Sequence, residues 1–403
     1  MTTPAGVIEL ADLVARWVHV IAGIMWIGNS MLFNWLDRNL RPPRDAGGRA
    51  PLGDIWLLHS GGFYLVEKTL LAGQPLPSPL HWFKWQAYTT WLSGMALLVV
   101  VYYLGGRAVL ADQTVASLSH GQATLVGLGA IVGGWAIYET MQRFVAPGAP
   151  RTAVAVWIVA LGAIAIALTR LLNGRAAFLH VGAMLGTIMA ANVCFTIIPS
   201  QRALVAAVAQ GHGADPAVSA RAKRVSIHNN YFTFPVIVLM VSNHFPSIYG
   251  HSRNWLLLLL LVASGAAVRH ILNVRFTYPA WKPALAGTLI ASVAAMYVLV
   301  QPVAPSSTSQ TAAIPDHVSF ADARRVIDRR CAACHSAQPA DLTFGVAPAG
   351  VMFDTPEEIA ARVLRIRERA VVTRTMPPAN KTNITDGERA LLGRWIDQGA
   401  TIR

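Results

Sequence analysis

Apolar residues run along this chain in long blocks separated by short polar breaks, and the blocks have the length of a bilayer. Eight stretches, at about 17–36, 82–104, 121–142, 152–172, 176–199, 229–249, 254–274 and 283–301, approach the ~20 residues a spanning helix needs. A shorter stretch at 55–72 is interrupted by Gly61, Gly62, Glu67 and Lys68, and reads as an interfacial or half-buried helix. Beyond residue 301 the pattern changes. Residues 302–317 are rich in Pro, Ser and Thr and predict a flexible tether. Residues 318–403 carry the shorter amphipathic pattern of a small soluble domain. There, 319–330 predicts one helix and 385–398 another, with Thr385 as N-cap, Glu388 completing a capping box, Gly399 as the stop, and Leu391, Leu392, Trp395 and Ile396 as the buried stripe. The expected fold class is all-α, with an eight-span bundle over 1–301, the linker at 302–317 and a helical domain at 318–403.

Composition and charge then orient the bundle. Of the 403 residues, 54% are hydrophobic and only 13% charged, yet the net charge is +13. Eight spans put both ends of the chain on one side. Fifteen basic residues, among them Arg38, Arg143, Arg202, Arg221, Arg224, Arg269 and Arg275, then fall on the opposite face. Only Arg16, Arg107, Arg170, Arg175 and Arg253 share the side of the termini. By the positive-inside rule the termini lie outside the cytoplasm. Residues 315–403 hold thirteen basic and eleven acidic residues, so the positive charge is mainly a topology signal and nucleic-acid binding explains it poorly. The start, with Glu9 and Asp12 where a basic n-region would stand, does not read as a cleavable signal. Glu9, Asp12 and Arg16 read as the polar face of a helix leading into the first span.

The strongest chemical motif is CAACH at 331–335. Cys331 and Cys334 have the spacing for two thioethers to one haem, and His335 follows as proximal iron ligand. A redox dithiol or half a zinc site fits less well, because the chain has three cysteines and no second pair. Met376, followed by Pro377 and Pro378, is placed as the sixth ligand, and Met/His ligation suits an electron acceptor. The expected domain is a class I cytochrome c, which again demands an outer location.

Two further patterns concern the spans. HVIAG from His19 and HVGAM from His180 open the first and fifth, and His81 and His228 stand near the starts of the second and sixth. Together they suggest two four-helix halves. The outer histidines His19, His180 and His244 and the inner His81, His228 and His270 are candidates for holding haem b. Interfacial anchoring or hydrogen-bonded packing explains any single one of them better. The inner half also carries Glu139, Gln142, Arg143, Asn229, Asn230 and Arg269. Two arginines there suit a planar anion, and the amides suit a ring bearing donors and acceptors. Gly129 and Gly133 read as a GxxxG packing face, and Cys194 as a small core residue.

The span motifs WVHVIAGIMWIGN, WFKWQAYTTWLSG and HNNYFTFPVIVLMVSNHFP, joined to CAACH and TMPP, resemble the bacterial membrane-bound, cytochrome c-linked urate oxidase (urate hydroxylase) family over essentially the whole chain. The resemblance implies an oxidoreductase of purine catabolism in the bacterial inner membrane. Urate would be hydroxylated to 5-hydroxyisourate, with electrons passing through one covalent haem c to a downstream cytochrome or terminal oxidase, and no hydrogen peroxide made. Within that reading Arg143 or Arg269 holds urate, Asn229 and Asn230 read its edge, and Glu139 or His228 takes a proton. The first span's His19, Trp26 and Gly28 are similar to haem-handling membrane families, which adds haem b, with His19, His81, His180 and His244 as ligands. A substrate site at the inner end would need such a carrier, whereas one near the outer histidines would not. Two rival readings stand beside this one: a membrane cytochrome relaying electrons from quinol to a soluble acceptor, and a haem- or metal-handling protein with an appended cytochrome.

Overall fold

The computed structural model describes residues 5–42, 52–69, 71, 75–104, 110–112, 115–212, 215–301, 315–341 and 347–402. Most of them are helical. Helix α1 runs without a break over Ala5–Asn39, so the leader and the first span are one rod, with Asp12 and Arg16 paired at 2.7 Å on its exposed side. Helix α2 (Lys84–Leu98) passes into a π-helical turn at Val99–Tyr103. Then follow α3 (His120–Thr140) with a π turn at Met141–Val145, and α4 (Pro150–Leu171). Helix α5 (Gly174–Asn192) continues through a π turn at Val193–Ile197 into α6 (Ile198–Ala209). The bundle is completed by α7 (Pro216–Ser242), the short α8 (Pro246–Tyr249), α9 (Asn254–Val274) and α10 (Trp281–Val300).

Seven of these rods are long and apolar enough to cross a membrane, which is compatible with a multi-pass membrane protein. The eighth expected span, 82–104, is helical from Lys84 through Tyr103, but Lys84, Gln86, Thr89, Thr90 and Ser93 make its first half polar. Helix α5 is the hub, burying Phe178, Val181, Met184, Leu185 and Ile188 against α3, α4 and α7. By contrast α10 buries no residue, and α1 exposes Leu13, Trp17, Ile24 and Phe33. Apolar faces of that size are stable against lipid and costly in water.

The expected interfacial helix at 55–72 is instead an antiparallel β-hairpin, which also qualifies the all-α expectation. Strand β1 (Gly53–His59) pairs with β2 (Gly62–Lys68) in the register His59↔Gly62 to Gly53↔Lys68. The cause is the turn: Ser60 and Gly61 both take positive φ, 50° and 78°, as a tight type I′-like hairpin turn requires. The hairpin is fastened to the end of α1 by Lys68 on Asp37 (2.6 Å) and by Arg41 bridging Asp54.

The GxxxG reading is corrected. Gly129 and Gly133 meet no neighbour, while Gly127 and Gly134, seven residues apart on the same helix, lie against His180 and Met184 of α5. Cys194 is exposed rather than in the core.

The C-terminal unit has its own core of Val318, Ala323, Ile327, Phe353, Ile359, Leu392, Trp395 and Ile396. It is built on α11 (Phe320–Arg330), α12 (Pro356–Ala360), α13 (Val363–Ile366) and α14 (Asp386–Asp397). The expected capping box is present, Thr385 Oγ1 accepting from the Glu388 N–H at 3.1 Å while Glu388 accepts from the Thr385 N–H. Gly399 follows with φ 93°. Of the tether expected at 302–317, all but 315–317 lies outside the described residues.

Candidate functional site

Three groups of polar side chains stand out. The first is in the C-terminal unit. Cys331 caps α11, and Cys334 and His335 follow in the next turn, their N–H groups bonded back to the Cys331 carbonyl. Both thiols are free. Burial pushes the Cys331 thiol up to about 12 and raises that of Cys334 as well. His335 donates from Nδ1 to the Val351 carbonyl at 2.9 Å and packs on Phe353 (ring centroids 5.2 Å). The ring orientation is thereby set, and Nε2 remains as the nitrogen with a free lone pair. Met376 sits on a loop that Arg389 fastens, donating to the carbonyls of Ala370 and of Met376, the latter at 2.8 Å. The Met376 N–H bonds to the Arg369 carbonyl at 2.9 Å. Two thiols, an imidazole fixed through its other nitrogen and, on a braced loop of the same unit, a thioether are the residue types that would hold a covalently attached haem. Among the described residues no group of three or more His, Cys, Asp or Glu side chains is placed to hold a bare metal ion.

The second group lies at the end of the bundle where α3 and α5 finish. Tyr138 Oη meets His228 Nδ1 at 2.9 Å and accepts from Asn192 at 3.0 Å. Asn192 also donates to Asn229 (2.8 Å), which donates on to the Met189 carbonyl (2.9 Å). A second branch joins Arg269 Nε and Asn273 Nδ2 to the Asn230 side-chain oxygen at 3.0 and 2.6 Å. The structure therefore gathers His228, Asn229, Asn230 and Arg269 but spends their polar atoms largely on one another. Glu139 is in an ion pair with Arg221 at 2.5 Å and so is not a free base. Arg143 is exposed and stacks on its neighbour Phe144. Its expected place is taken by Arg224, bonded to Gln142 Oε1 at 3.2 Å. Regular helical spacing explains the exchange: Gln142 extends the buried row Gly127, Ile131, Gly134 and Tyr138 in three- and four-residue steps, whereas Arg143 falls off that row.

The third group, at the opposite end, did not emerge from the sequence as a set. His180 is fully buried, with Nδ1 on the Ala176 carbonyl (2.7 Å) and Nε2 on Tyr103 Oη (3.1 Å). His120 Nε2 donates to the Tyr103 carbonyl at 2.8 Å. Tyr102 Oη, His120 Nδ1 and Arg175 Nε are buried without a partner among the described residues. Three more such atoms, Trp157 Nε1, Thr196 Oγ1 and Arg221 Nε, lie elsewhere in the bundle.

This geometry bears on haem b. His180 has both ring nitrogens engaged by protein groups, and a β-carbon at Gly127 would collide with its ring, so the ring fills a slot shaped for it. His81 and His244 are exposed, and His19 is bonded through Nδ1 to the Thr90 carbonyl at 2.9 Å. His19 and His180 also pack on glycines of non-equivalent helices, Gly94 of the second span and Gly127 of the third, which the suggested repeat does not anticipate.

The fold and these groups define a bundle of membrane-length helices followed by a small helical unit with a thiol–imidazole–thioether donor set. The chain belongs to the urate oxidase N-terminal family, whose model matches residues 5–301. No curated protein and no solved structure matches it.

Proposed function

We propose that this protein is a membrane-bound urate oxidase that passes its electrons to a haem c held by Cys331, Cys334, His335 and Met376. Family membership supports urate oxidation. The observation that carries the electron-transfer half is that His335, the last residue of CAACH, is held by the Val351 carbonyl through Nδ1, which leaves Nε2 for an iron. In this reading all eight apolar rods span, and the C-terminal unit lies outside the cytoplasm.

The reaction balances without oxygen. Urate monoanion and water give 5-hydroxyisourate, a proton and two electrons: a C5–O bond forms, the water releases one proton and keeps the other as the 5-hydroxyl, and no peroxide is made. A bound haem supplies a one-electron acceptor and hands each electron on to a downstream respiratory carrier. The chain's own residues orient the urate plane, take up protons and exclude bulk water. The inner Asn–Tyr–His–Arg network holds α3, α5, α7 and α9 together.

Membranes containing the wild-type protein are expected to consume oxygen on urate addition without releasing hydrogen peroxide. The Cys331→Ser/Cys334→Ser double variant is expected to lose that respiration and the c-type pyridine haemochrome spectrum together. Urate-dependent respiration that survives without covalent haem overturns the proposal.

A further inference from the structure

We propose that urate binds at the outer end of the bundle, among Tyr102, His120 and Arg175, beneath the docked C-terminal unit. This rests on the urate oxidase reading and goes beyond it by placing the substrate.

The first observation is chemical. Tyr102 is 3% exposed, yet its hydroxyl has no partner among the described residues. The same holds for His120 Nδ1 and Arg175 Nε. Leaving such groups unpaired is unfavourable, so a ligand that satisfies them gains affinity. They come from three separate elements: the π turn closing α2, the first residue of α3 and the second of α5. They are also neighbours through shared contacts: His120 bonds the Tyr103 carbonyl, the Tyr102 ring meets His180 at 5.9 Å, and Gly174, next to Arg175, packs so tightly on the Tyr249 carbonyl that a β-carbon there would collide with it. A phenol, an imidazole nitrogen and a guanidinium edge match a planar anion whose rim alternates N–H and C=O.

The second observation is positional. Gly250, next to Tyr249, is where the C-terminal unit lands. A β-carbon there would sit 3.1 Å from the Thr373 carbonyl and would collide with Thr375 Cγ2. Thr375 precedes Met376, so the loop bearing the proposed axial ligand rests on the cover of this group. The inner network, by contrast, lies a membrane thickness away, ~30 Å. Electron transfer weakens steeply with distance, so the outer group is the one from which electrons reach the C-terminal unit directly.

The test is urate binding by equilibrium dialysis to purified holoprotein kept reduced with dithionite, so that bound urate is not turned over, with haem content measured on each sample. Arg175→Gln is expected to weaken binding at least tenfold and Tyr102→Phe several-fold, with haem content and the dithionite-reduced spectrum unchanged. Arg269→Gln, in the inner network, is expected to bind within about twofold of wild type. If Arg175→Gln does not accumulate, Arg175→Lys, which keeps the charge but not the planar edge, is expected to lose affinity as well. Wild-type affinity in the Arg175 and Tyr102 variants with loss in Arg269→Gln overturns the placement and leaves the function standing. Failure of the wild-type protein to bind urate overturns both.

Discussion

His335 donates from Nδ1 to the Val351 carbonyl at 2.9 Å, and this bond determines which ring nitrogen can face an iron. On the other side Arg389 pins the Met376 carbonyl at 2.8 Å. Met376→Ala is therefore expected to leave the haem attached, because the thioethers and His335 remain, but to lower its potential by a sizeable part of the roughly 0.8 V that axial ligation spans. A redox titration of the purified protein measures it; an unchanged potential would remove Met376 from the ligand set.

Acid should weaken the C-terminal unit. Burial alone would raise the Glu388 carboxyl, but the Thr385 N–H and the Arg330 guanidinium, 3.0 Å away, hold it below the ordinary carboxylate value. A depressed folded-state value stabilises the fold at neutral pH, and that stabilisation is lost as pH falls below about 4. Glu388→Gln is expected to cost about 2 kcal/mol at pH 7 and to flatten the acid limb. Thermal unfolding followed at the haem band, at pH 7 and pH 4, checks both.

The inner network should behave as structure. Asn230→Ala strips the acceptor from Arg269 Nε and Asn273 Nδ2 at once. The expected loss is about 1–3 kcal/mol, read as a lower melting temperature in detergent with urate affinity kept. A normal melting temperature with lost affinity would move the substrate to the inner end.

The buried thiol gives a check by ligand removal. In protein made without haem attachment, Cys331, with its thiol pushed up to about 12 by burial, should resist alkylation at pH 7. Cys334, the less enclosed thiol of the pair, should react first. Mass spectrometry of the labelled peptides gives the order, and rapid labelling of Cys331 would mean the unit opens without its haem.

Local signals were legible wherever one element carries them. The cap of Thr385 with Glu388, the stop at Gly399 and the stripe through Leu392, Trp395 and Ile396 all stand as read, because a helix end is decided by residues within four positions. The hairpin at 53–68 was hidden because its apolar count resembles that of an interfacial helix. Ser60 and Gly61, the turn, were the signal that should have outweighed it. Arg143 was misplaced although the row Ile131, Gly134, Tyr138 and Gln142 keeps regular helical spacing and already left Arg143 off the buried face. The outer group of Tyr102, His120 and Arg175 was not legible as a set, since it joins three helix ends distant in sequence.

The most direct measurement is anaerobic. Purified, oxidised protein is mixed with urate in the absence of oxygen and any other donor, and the reduced haem c band is followed in time. The expected result is full reduction, with two haems reduced per urate consumed and 5-hydroxyisourate as the product. A haem that stays oxidised with urate but is reduced by quinol would contradict the reading and establish the protein as a quinol-linked relay.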